Sequence, residues 1–130
     1  MKNLATRKLG SDPDAIAPDG SEVRILVAVG AGSMAHFTLR PGAVSRGIVH
    51  RSVEEVWFFT KGRGTMWRRQ EGEEEIVEVG SGVSIAIPVG ASFQFRAEGE
   101  EPLEAVGVTM PPWPGPEEAV FVEGPWAPTA

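Results

Sequence analysis

The chain has 130 residues, a formal charge of −6 and no cysteine. That length suits one compact domain with its own core, and the lack of thiols excludes disulfides and thiolate metal sites. The acid excess argues against nucleic acid as a partner, because phosphate binding needs a basic face.

No apolar run approaches the roughly 20 residues that span a bilayer. Residues 1–8 are not followed by the apolar segment of a secretion signal. The expectation is therefore a chain with no membrane partner and, by default, a cytoplasmic location. The 16 Gly and 11 Pro punctuate apolar runs and do not clump, which suits short strands joined by turns.

Ser11 to Ser21, with Asp12-Pro13-Asp14 and Pro18-Asp19-Gly20, reads as a loop. Val23 to Val29 is a β-branched run that ends at a turn, Gly30-Ala31-Gly32. Ser33 to Arg40 alternates, with Ala35, Phe37 and Leu39 on one face and Met34, His36, Thr38 and Arg40 on the other. Pro41-Gly42 breaks it. Glu55 to Thr60 is the next strand, stopped at Lys61-Gly62. Thr65 to Gln70 and Glu74 to Val79 flank Glu71-Gly72, a hairpin signal. Val83 to Ile87, Ser92 to Ala97 and Leu103 to Met110 follow. Pro111 to Pro116 reads as extended chain that covers a barrel mouth, a subunit contact or plain surface, and Ala119 to Val122 as an edge strand. No stretch carries a helical period. Eight to ten short strands at about ten-residue intervals predict an all-β sandwich or barrel spanning residues 1–130, with its core over about 22–122.

Two segments carry a family resemblance. Gly42 to Glu55, with His50 and then Glu55, followed by six residues and Gly62, resembles the first cupin motif. Gly82, five residues on to Pro88, Val89 and Gly90, resembles the opening of the second. The resemblance implies a double-stranded β-helix, or jelly-roll barrel. It also implies a metal held by two histidines and a glutamate from the first motif and one histidine from the second. Here His50 and Glu55 stand at two of those positions, while Ile48 and Phe93 stand where histidines would be. Two ligands hold a metal poorly. No cofactor is therefore expected. The alternative is a divalent ion (Mn, Fe, Ni or Zn) on His50, Glu55 and His36, although the polar face that carries His36 is the better candidate for the outside.

If Glu55 points inward, so do Trp57 and Phe59. By analogy with cupin strands, Ile48, Met66, Phe93 and Phe95 share that lining, as do Val106, Val108 and Met110. Arg68 follows the alternation of Met66 toward the barrel mouth, where its guanidinium would meet a substrate carboxylate. Trp67 faces the other way and is expected under a homodimer contact of the kind the family forms. An apolar wall around one imidazole and one carboxyl is the anatomy of a small-molecule pocket. Burial would push the two groups toward their neutral forms and mutual pairing toward their charged forms, and the sequence leaves that balance open. Three functions are compatible with it. One is metal-independent acid–base catalysis by His50 and Glu55 on a small apolar carbonyl compound, as an isomerase, cyclase or lyase. Another is a divergent metal-dependent oxygenase or isomerase. The third is a ligand-binding or sensor module.

Overall fold

The structure is a computed structural model and describes residues 4–129. Eleven strands are formed among them: β1 (Ala15–Ile16), β2 (Glu22–Val29), β3 (Gly32–Leu39), β4 (Gly47–His50), β5 (Glu54–Lys61), β6 (Arg63–Gln70), β7 (Glu73–Gly80), β8 (Ser84–Ile87), β9 (Ser92–Glu98), β10 (Leu103–Met110) and β11 (Ala119–Val122). A single 3-10 turn, Pro116–Glu118, precedes β11. No helix among the described residues is long and apolar enough to cross a membrane.

The strands form two antiparallel sheets. One has six strands in the order β1-β2-β3-β10-β5-β8, the other five in the order β11-β4-β9-β6-β7. Strands adjacent in sequence often lie in opposite sheets, which gives the jelly-roll its crossings. The β6–β7 hairpin turns through Glu71 and Gly72, with φ of 51° and 82°, the doubly left-handed backbone of a tight two-residue loop. Two short strands depart from the sequence reading. Ala15–Ile16 pairs with β2 inside the expected loop, and Gly47–His50 forms a four-residue strand between β9 and β11. Segments this short carry too few residues for an alternation to be seen.

Side-chain period decides what lies between the sheets. Along β5, Glu55, Trp57 and Phe59 are buried while Glu54, Val56, Phe58 and Thr60 are exposed. Phe59, Met66, Phe93, Phe95 and Leu103 fill the interior. The outer face of the five-stranded sheet is covered by the C-terminal segment. Gln94 Nε2 donates to the carbonyls of Ser45 and Trp126 at 2.8 Å each, and Trp126 N donates back to Gln94 Oε1 at 3.1 Å. Arg96 lies 4.3 Å above the Trp126 ring. Trp67, next to Gln94 on this face, is buried, with Nε1 donating to Glu74 Oε1 at 3.2 Å and Arg69 5.2 Å over its ring.

Candidate active site

His50 ends β4 and Glu55 is the second residue of β5, with a three-residue turn between the two strands. That turn is fixed from the far end of the chain. Arg51 N donates to the Glu118 carbonyl at 3.0 Å, and Ser52 N donates to Glu118 Oε1 at 2.8 Å. The Ser52 hydroxyl also donates to the Glu118 carboxylate. With the turn clamped, His50 Nδ1 stands 3.2 Å from Glu55 Oε2. Nδ1 completes no aligned hydrogen bond there. Thr109, directly across from Glu55 on β10, donates from Oγ1 to Oε1 at 3.0 Å.

Both groups are nearly sealed from solvent, His50 at 7% and Glu55 at 4% exposure. Burial pushes the Glu55 carboxyl up to about 7 against the hydrogen bond from Thr109, and the neighbouring Asp19 adds to the rise. Burial likewise lowers His50, opposed by the Glu118 carboxylate. Desolvation therefore outweighs pairing, so near neutrality His50 is neutral while Glu55 is divided between its acid and carboxylate forms.

The pair opens on a cavity of about 410 Å³, within the usual range for small-molecule sites. Phe37 and Trp57 stack along one wall, with ring centroids 4.9 Å apart and planes 24° apart. Trp113 meets the His50 ring edge-on at 5.3 Å, and Trp113 N donates to Ser33 Oγ. Pro112, Trp113 and Pro116 of the proline-rich segment thus line this cavity. Asp19 also lines the cavity and is buried, a site residue the sequence reading did not single out. Nor did it single out Thr109, Phe37 or Trp113 as lining, although the alternation had already put Phe37 on the face opposite His36.

Of the residues expected in the lining, His50, Glu55, Ile48 and Trp57 are there. Phe59, Met66, Phe93 and Phe95 are fully packed core beneath it, with Phe93 and Phe95 set edge-on against Trp57. Val106, Val108 and Met110 belong to the other face of β10. The inward residues are Leu103, Ala105, Gly107 and Thr109, one position out of step with the expectation. The reason is room. A Cβ on Gly107 would come within 2.7 Å of Phe37 and 2.9 Å of Trp57, so the small residues must face the rings and the β-branched ones turn outward. Arg68 is also elsewhere. It donates to Glu75 at 2.5 Å and to the Ala86 carbonyl at 2.7 Å, in a separate surface trough. His36 is on the outer face of β3, with Nε2 3.0 Å from Glu104 Oε1, so it cannot join His50 and Glu55.

The ligand set implied by the resemblance does not fit this interior. Ile48 and Phe93 are cross-strand partners, each 1% exposed, and they fill the two remaining ligand positions with hydrocarbon. Among the described residues no group of three or more His, Cys, Asp or Glu is arranged to hold a metal ion.

A family model described as the cupin domain matches residues 35–109, so the chain belongs to the cupin family. No curated protein matches it. Among solved structures, oxalate decarboxylase from Bacillus subtilis superposes with a TM-score of 0.76 at 20% identity, over 94% of this chain and 33% of that one. An uncharacterized conserved protein with a double-stranded β-helix domain from Klebsiella pneumoniae gives 0.66 at 14% identity, over 92% and 91%. The capsular polysaccharide assembling protein CapF from Staphylococcus aureus gives 0.67 at 19% identity, over 80% and 30%. The chain thus spans about a third of the length of the decarboxylase and of CapF. At these identities the likeness is one of fold.

Proposed function

We propose that the cavity binds a small, largely apolar carbonyl compound and that His50 and Glu55 move a proton on it. The observation that carries this reading is the buried pair, 3.2 Å apart, opening on a mainly apolar cavity with its carboxyl raised to about 7. A base poised near the working pH in a dry pocket suits abstraction next to a carbonyl.

In the proposed step, Nε2, the ring nitrogen turned away from Glu55, takes the proton from the carbon beside the carbonyl. The C–H pair becomes a C=C bond and the carbonyl π pair moves onto oxygen, giving an enolate. The carboxylate of Glu55 at Nδ1 offsets the charge that appears on the imidazole. Returning the proton from Nε2 to another substrate atom completes an isomerisation. The protein contributes position, exclusion of water and an imidazole set beside a carboxyl. Ile48 and Phe93, at the positions of the lost ligands, supply only shape.

The test needs no known substrate. A panel of aryl ketones in D2O, followed by proton NMR, reports exchange at the carbon next to the carbonyl. The native chain should accelerate exchange for at least one member, and Glu55→Gln and His50→Gln should each abolish the acceleration while keeping the fold. Exchange no faster than in buffer across the panel, or undiminished in Glu55→Gln, would overturn the assignment.

A further inference from the structure

The cavity holds a second carboxyl that the proton transfer does not use. Asp19 is 6% exposed and lies in the loop before β2. Its backbone is pinned, with Ala17 N donating to the Ser21 carbonyl and Arg46 N to the Asp19 carbonyl, each at 2.8 Å. Its Oδ1 accepts from Ser21 N at 2.9 Å and Ser21 Oγ at 2.7 Å. No group among the described residues donates to Oδ2.

Among the described residues no lysine or arginine lines the cavity beside this carboxyl. The ionisable residues of the lining are Asp19, His50 and Glu55. Among the described residues, Arg46, whose backbone N bonds the Asp19 carbonyl, holds its guanidinium 4.9 Å over the Phe121 ring, and Arg24 bonds the carbonyls of Gly10 and Ser11. Glu118, behind His50, adds a further acid to the surroundings. A buried carboxyl without a counter-charge is costly, and burial accordingly raises its pKa. The lining also includes Phe37, Trp57 and Trp113, rings whose faces attract cations.

We propose that Asp19 seats a protonated amine, and that the cavity selects carbonyl compounds carrying an ammonium group over those carrying a carboxylate. This deepens the proposed function and rests on its small-molecule cavity. Asp19 fixes the charged end of the substrate, and His50 with Glu55 works at the carbonyl. The expectation that a substrate carboxylate meets Arg68 is replaced by its opposite. An anion entering here finds three ionisable groups of which two are acids, and no lysine or arginine to pair with.

Isothermal calorimetry with three probes on one frame tests this: 4-phenylbutylamine, 4-phenylbutanol and 4-phenylbutanoate. The amine should bind about tenfold or more tightly than the alcohol, as a charge-assisted hydrogen bond allows, and the butanoate most weakly. Asp19→Asn keeps the acceptor for Ser21 and removes the charge, and it should bring the amine-to-alcohol ratio near one. Glu75→Gln, in the separate surface trough, should leave the amine preference in place. Binding of the butanoate as tightly as the amine, or an undiminished ratio in Asp19→Asn, would overturn the seat while the cavity reading stands. If none of the three binds, the seat and the cavity reading fall together. Lost proton exchange with amine preference intact would instead sink only the acid–base reading.

Discussion

His50 Nδ1 and Glu55 Oε2 lie 3.2 Å apart, yet burial drives them to opposite sides of their usual proton affinities, the imidazole down and the carboxyl up to about 7. An exposed pair at this distance would hold both charges. Here the apolar walls cost each charge more than the other returns.

This relation fixes a pH dependence. Between 4.5 and about 7 the unfolded chain is ionised at Glu55 while the folded chain keeps its proton. The stabilisation is whole below 4.5 and is lost as pH rises through 7. Asp19, also raised by burial, acts with the same sign, whereas lowered His50 and His36 make stability grow as pH rises toward 6.5. Glu55→Gln removes the carboxyl's part. Measured by urea unfolding, its stability relative to the native chain should improve between pH 4 and pH 8 by up to about 3 kcal/mol. An equal offset at both values would contradict the buried, protonated carboxyl.

Restoring the missing ligands should restore metal binding. Ile48 and Phe93 are paired across β4 and β9, and the Phe93 ring lies 5.4 Å from that of His50. Ile48→His combined with Phe93→His would give three imidazoles and a carboxylate around one point, enough for a divalent ion. Elemental analysis after dialysis should find about one ion per chain in the double variant, with the histidines deprotonated, and a far smaller amount in the native chain.

The C-terminal segment is held at Trp126 by the Gln94 amide and the Arg96 guanidinium, and at Thr129 by the backbone of Val44. Gln94 is fully buried and makes three hydrogen bonds, to Ser45 and both backbone groups of Trp126. Gln94→Ala leaves those groups unpaired and should cost about 2–4 kcal/mol. Amide exchange at residues 123–129 should rise ahead of exchange in β5 and β10, and unaltered protection at Trp126 would show that the segment is held by other means.

Much of the fold is legible in the residues. The alternation in β5, the Glu71-Gly72 turn and the spacing from His50 to Glu55 and Gly62 all express local rules, and each has its counterpart in the structure. Errors arise where a choice depends on a neighbour across the sheet. Val106 and Val108 look more like core than Ala105 and Gly107, and only the breadth of Trp57 and Phe37 reverses that preference. Arg68 follows the correct alternation but is drawn to Glu75 on the next strand. Asp19 lies in a loop whose composition speaks only of turns, and its place in the cavity depends on contacts with residues far along the chain.

Gly107 makes a further exchange testable. Gly107→Ala forces the Phe37–Trp57 stack to move and should cost about 2 kcal/mol by thermal unfolding. Trp57→Leu in the same chain should recover part of that loss, because the added methyl then meets a narrower neighbour. A double variant no more stable than Trp57→Leu plus Gly107→Ala taken independently would deny the coupling.

Chamber width in this barrel is therefore set jointly by two facing positions on adjacent strands. A broad indole on one requires a bare backbone on the other, and neither can drift alone. Descendants of this chain could resize their interior by compensated substitution at 57 and 107 while the proton-handling groups at 50 and 55 stay where they are.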